Sequence, residues 1–136
     1  MKKIILPIAI ILIMTFAGFA QAFEWHSANQ VTVLWDAVTK LSDGSDIPAT
    51  STIKYKIYLR DESGTIAENQ EVDTISALIT FVNEGKYHVG ISAVRYENTT
   101  EIAESDVTWS DVSGMPDPFG FLFYLKPEVP AGLRMQ

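Results

Sequence analysis

Apolar and polar residues alternate one by one through much of this chain. In QVTVLWDAV, Val31, Val33 and Trp35 fall on one side, with Thr32 and Leu34 on the other. IKYKIYLRD sets Ile53, Tyr55, Ile57 and Leu59 against Lys54, Lys56, Tyr58 and Arg60. YHVGISAVRY gathers Tyr87, Val89, Ile91 and Ala93 on one face. A period of two is the signature of a half-buried β-strand. IAENQEV predicts a polar edge strand, TISALITFV an apolar, β-branched one, and SDVTWSDV a last strand of the series. Turn chemistry separates them: TKLSDGSDIPATST, SGT around Gly64, NEGK and ENTTE. Seven short strands in about 90 residues predict an all-β antiparallel sandwich, with little helical periodicity anywhere.

The period-two pattern returns near the end, in DPFGFLFYLKPEVPAGLRMQ. Phe119, Phe121, Phe123 and Leu125 alternate with Gly120, Leu122, Tyr124 and Lys126, a strand with two apolar faces set apart by Pro116 and Pro118. Left unpaired, such a strand aggregates. It needs a sheet, either its own or that of a neighbouring chain joined by strand addition. Phe119, Phe121, Phe123, Tyr124 and Leu125 are therefore the candidate interaction strand.

The first residues change the picture of where this happens. Lys2 and Lys3 precede an apolar run from Ile4 to Phe19, and Ala20-Gln21-Ala22 forms an A-x-A cleavage site. The run falls short of the ~20 residues that span a bilayer and holds Pro7 and Gly18. Residues 1–22 are expected to be a bacterial-type signal peptide of an exported protein, in the periplasm, at the cell surface or secreted. Membrane contact is expected only through that segment if it stays uncleaved. Without Lys2 and Lys3, eight cationic side chains face seventeen acids, a formal charge of −9. Such a surface repels phosphate backbones, so nucleic acid is not an expected partner. The chain has no cysteine, which excludes disulfides and thiolate chemistry. Asn98-Thr99-Thr100 fits a glycosylation sequon, relevant only in a eukaryotic host.

The strands in order resemble a fibronectin type III domain. VTVLWDAV resembles the family's second strand with its tryptophan, here Trp35, and IKYKIYLRD is similar to the third strand. FVNEGKYHVGISAV resembles the apolar residue, glycine-containing turn and Tyr-x-Val-x-Val-x-Ala run of the family. The resemblance assigns Phe81 to the apolar position and Tyr87 to the tyrosine corner, whose hydroxyl bonds back to the preceding turn. It implies a fibronectin type III or immunoglobulin-like antiparallel sandwich over residues 23–114, with residues 115–136 as a C-terminal strand extension. Two departures stand out. FEWHSANQ lacks the Pro-x-x-Pro-x-x-Leu opening phrase, and the loop from Thr39 to Thr52 is long. PEVPAGLR, at the other end, resembles that missing phrase, which implies either the remnant of a lost following domain or a segment, Pro130 to Met135, that takes the first-strand place in its own sandwich or, head to tail, in the next subunit.

Little in the sequence points to catalysis. His26 and His88 have no partner at motif spacing and read as solvated surface residues. Asp43 and Asp46 in SDGSD form an incomplete calcium pattern, better explained as a polar turn. Glu101, Glu104, Asp106 and Asp111 read as a solvated strand edge. No phosphate loop and no Arg-Gly-Asp are present. No metal or cofactor is called for, and the chain is not expected to be an enzyme; a small secreted hydrolase ranks last. Trp25 and Trp109 are candidates for stacking on a glycan, or else pack within their own strands. The loops at Thr39–Thr52 and Glu97–Glu101 are where such a scaffold places variable contacts. The expected function is a structural or adhesive protein-interaction module of the cell envelope or an extracellular assembly, possessing a protein partner or self-associating. A carbohydrate-binding accessory module is the alternative.

Overall fold

The computed structural model describes residues 23–114 and 116–136. The expected signal peptide and its cleavage site lie outside the described residues. Nine strands follow one another: β1 (Glu24–Ser27), β2 (Gln30–Leu34), β3 (Ser51–Asp61), β4 (Ile66–Val72), β5 (Ser76–Thr80), β6 (Gly85–Glu97), β7 (Thr100–Glu104), β8 (Thr108–Trp109) and β9 (Phe119–Phe123). There is no helix among the described residues. The large sheet runs β1-β9-β6-β3-β4, with β7 and β8 also on β6, and the small sheet is the pair β2-β5.

Alternation explains how the sheets meet. Antiparallel pairing sets Tyr55 opposite Ala93, Ile57 opposite Ile91 and Leu59 opposite Val89, so these side chains share one face. β2 and β5 pair Val31 with Ile79 and Val33 with Ala77. The two apolar faces close on a core of Val33, Ile57, Ala77, Ile79, Phe81, Val89 and Phe121. The result is a β-sandwich-like all-β fold. Phe81 is buried and stacks on Tyr87 at 5.1 Å, while Trp35 meets Tyr55 edge-on at 5.4 Å. The Tyr87 hydroxyl donates to the Asn83 carbonyl at 2.6 Å, fastening β6 to the turn before it.

The sequence predicts one continuous strand in SDVTWSDV; the structure holds only Thr108–Trp109 there. Three short pieces line the same edge of β6 in turn: β7 beside Val94–Glu97, β8 beside Gly90–Ile91 and β9 beside Gly85–Tyr87. Serines repair the gaps. Ser105 N–H donates to the Ala93 carbonyl (2.8 Å), and the Ala93 N–H donates to Ser105 Oγ (2.9 Å). Ser110 does the same with Val89, at 2.8 and 3.2 Å. In each case a hydroxyl replaces the ladder carbonyl that the departing chain takes away.

The C-terminal strand is no appendage. β9 lies between β6, antiparallel, and β1, parallel, with Glu24 opposite Phe119 and Ser27 opposite Leu122. The sandwich therefore continues through Phe123, past the boundary expected at residue 114. Phe121 is buried, Phe119 and Phe123 pack against the core, and Tyr124 and Leu125 are exposed beyond the strand. Residues 126–136 are exposed throughout.

Candidate interaction surface

The charged residues on the outer face of the large sheet largely satisfy one another. Lys56 pairs with Glu101 at 3.2 Å and with Glu104 at 3.6 Å. Glu104 also accepts from Ser92 at 2.6 Å and from the Tyr58 hydroxyl. Bonds from Ser92 and Tyr58, then the Lys56 charge, hold the Glu104 carboxyl below the ordinary carboxylate range against the effect of burial. Burial works against the charge on Lys56. The Glu101 bond and the charges of Glu104, Glu101 and Glu68 outweigh it, and the ammonium stays protonated above its usual range. Asp111 pairs with Arg60. The acidic edge is exposed at Glu101, Glu104 and Asp106, as expected, and it is also paired: β7 brings Glu101 and Glu104, and the turn after β8 brings Asp111, beside the cations of β3.

His88 is not a solvated surface residue either. Its ring lies 5.4 Å from Phe23 and 5.3 Å from Trp25, and its Nδ1 is buried, 3.8 Å from Asp111 Oδ2. His26 lies beside Phe119 and Phe121 and 3.8 Å from Glu24. In SDGSD, Asp43 accepts from the Ser45 amide at 2.9 Å while Asp46 pairs with Lys40, so the two carboxylates turn to different partners. The Ser45 hydroxyl, then its amide, holds the Asp43 carboxyl below its ordinary range.

Both candidate glycan-stacking tryptophans are engaged by their own chain. Trp109 is opposite Gly90 and Trp25 opposite Gly120, and each indole lies down on its glycine. A Cβ on Gly90 would come within 2.7 Å of Trp109 Cε3, and one on Gly120 within 2.6 Å of Trp25 Cζ3. The Arg60 guanidinium sits over the Trp109 ring at 4.7 Å and the Lys86 ammonium over Trp25 at 5.6 Å. An aromatic ring laid over a sheet glycine restores the apolar cover that the glycine omits.

The backbone of the small sheet is less complete. Trp35 N–H bonds the Ile75 carbonyl and Phe81 N–H bonds the Asn29 carbonyl, so the odd-numbered residues of this stretch of β2 face β5. The main-chain groups of Gln30, Thr32 and Leu34 then point to the opposite edge, where no strand pairs among the described residues. The far edge of β5 differs: the Gln70 amide donates to the Leu78 carbonyl and the Thr74 hydroxyl to the Ser76 carbonyl, both at 2.8 Å. β4, at one end of the large sheet, carries exposed Glu68 and Asn69, which discourage pairing. Beside the open edge of β2, a groove of about 430 Å³ runs between the sheets, walled by Val33, Trp35, Tyr55, Val89, Ile91 and Phe119. Trp35 Nε1 is buried there without an acceptor among the described residues. Leu34 is 76% exposed on the outer face of the same strand.

Residue-by-residue reading of the sequence anticipates a vacant first-strand place but misses the two serine repairs. The signal for the edge was present: no strand-like opening phrase precedes β2 to cover it, and FEWHS goes to β9 instead. The chain matches no protein-family model, no curated protein and no solved structure.

Proposed function

We propose that this protein is a non-catalytic, fibronectin type III-like module of the cell envelope or an extracellular assembly, exported by its leader, that joins a protein neighbour by strand addition. The observation that carries the reading is the open edge of β2 beside an apolar groove. The Tyr87–Asn83 bond, the buried Phe81 and the half-buried Trp35 support the family resemblance. An unpaired edge is a liability that folded proteins cover or use, and its backbone donors and acceptors suit an extended segment of another chain. The engagement of Trp25 by Gly120 and Lys86, and of Trp109 by Gly90 and Arg60, favours this reading over glycan stacking.

The test is hydrogen exchange on the full chain, expressed with its leader, followed from dilute to concentrated solution. The Thr32 and Leu34 amides exchange rapidly when dilute and become protected as complexes form. Fast exchange at every concentration, together with glycan binding that disappears in Trp25→Ala, would replace this reading with the carbohydrate-binding one.

A further inference from the structure

We infer that the occupant of the open β2 edge is residues 129–135 of a second copy of this chain, laid antiparallel along β2 so that copies join head to tail. This deepens, and rests on, the strand-addition reading above. The first argument is complementarity within one polypeptide. Among the described residues the edge lacks a strand and the segment lacks a sheet: Val129, Leu133 and Met135 are 89%, 99% and 96% exposed. The second argument is periodicity. Val129, Ala131, Leu133 and Met135 alternate with Pro130, Gly132 and Arg134, the pattern of a strand with one face to bury.

Register follows from the edge itself. Its open groups belong to Gln30, Thr32 and Leu34, whose side chains point outward, while Val31 and Val33 point to the core. Residues opposite one another across an antiparallel pair share a face. Gly132 and Arg134 therefore supply the main-chain bonds, and Ala131, Leu133 and Met135 turn inward beside Val31 and Val33 toward the groove. Pro130, which has no N–H, falls at the end of this ladder, where its loss costs one bond. Gly132 now has φ +70° and must become extended, which a glycine does readily.

The donor is a second copy rather than the same chain because of direction. Residues 124–126 leave β9 beside Ser27, Ala28 and Asn29, at the Gln30 end of β2. A segment folding back in its own chain enters there and runs parallel to β2. Antiparallel pairing, slightly the more stable arrangement per residue, sets Pro130 opposite Leu34. From an exit beside Asn29 that is five residues of strand, about 17 Å, whereas the four steps from Lys126 to Pro130 span at most about 14 Å, so the antiparallel place is reached by a segment from another molecule. Such a contact is heterologous, so it propagates into filaments or closes into rings.

Because the chain has no cysteine, engineered thiols report the contact directly. Gln30→Cys and Arg134→Cys chains, whose positions face each other in this register, are expected to form a disulfide-linked heterodimer when mixed and mildly oxidised, whereas each oxidised alone is expected to form little. In parallel, sedimentation of the full chain is expected to show mass rising with concentration. Deleting residues 127–136, which are exposed throughout, is expected to abolish the rise, and Leu133→Asp to weaken association at least about tenfold. A double variant that cross-links only within one chain would overturn the second-copy assignment. Association that persists without residues 127–136, with Thr32 and Leu34 amides still protected, would remove this segment as occupant while leaving the strand-addition reading in place. A full chain that stays monomeric with rapidly exchanging β2 amides would overturn both.

Discussion

Phe121→Ala asks whether β9 is a strand of its own sandwich. Phe121 is 3% exposed, tilted against Phe81 at 5.6 Å and edge-on to Phe119 at 5.5 Å. Removing a buried phenyl ring costs about 3–5 kcal/mol, the lost transfer free energy plus the cavity left behind. A domain of this size has roughly 6–17 kcal/mol in all, at about 0.05–0.15 kcal/mol per residue. The substitution thus removes a large share of the total, and at about 4 °C per kcal/mol lowers Tm by roughly 12–20 °C. Urea and thermal melts should be run on the chain ending at Lys126, so that the proposed donor segment contributes nothing. Tyr124→Ala, at a 53%-exposed position just past the strand, is the comparison and should change stability by less than about 1 kcal/mol. A Phe121→Ala loss no larger than that of Tyr124→Ala would refute the packing of β9 described above. So would a midpoint that climbs with protein concentration, because it would mean that β9 is donated by another chain.

Gly120→Ala should destabilise by about 1–3 kcal/mol, since its Cβ would press into the Trp25 and Phe23 rings; a melt at or above the wild-type midpoint would contradict the ring-on-glycine packing. Ser110→Ala orphans the buried Val89 N–H and should cost about 1–3 kcal/mol, with Ser105→Ala, at an exposed site, costing less; equal, negligible losses in urea melts would show that the hydroxyls do not serve the ladder. Glu104 has a folded-state pKa below its unfolded value, so its contribution is present above the ordinary carboxylate range and is lost as pH falls through the folded value. Melts from neutral to acid pH should therefore show stability declining below about pH 5, with a shallower decline in Glu104→Gln; identical slopes would remove Glu104 from the acid response.

Strand identities were legible wherever one face is buried and the other solvated. β3 and β6 could be placed from IKYKIYLRD and YHVGISAVRY because Lys54, Lys56 and Arg60 mark the outer face as clearly as Ile57 and Val89 mark the inner. β4 likewise reads as an edge from its polar composition. The pieces along β6 were not legible, because Ser105 and Ser110 keep the ladder by side-chain bonds that leave no periodic trace. Nor was the destination of β9. A strand with two apolar faces fits its own sheet or a neighbour's equally well, and only its place between β1 and β6 decides the matter. His88 reads from sequence as solvated, and Trp25 and Trp109 stand between glycan stacking and packing within their own chain, for a common reason. His88, Trp25 and Trp109 owe their surroundings to pairing across strands distant in sequence, and the glycines beneath the indoles matter as much as the rings.

The clasp of β9 between a parallel and an antiparallel neighbour also determines how the molecule meets mechanical force. A pull on residues 124–136 is directed along β9, so its bonds to β1 and β6 are loaded together in shear rather than opened one at a time. In the proposed link, a strand laid along β2 would also be pulled lengthwise. A line of such molecules would carry tension through sheared ladders at every junction, and its strength would be set by unfolding rates under load rather than by equilibrium stability.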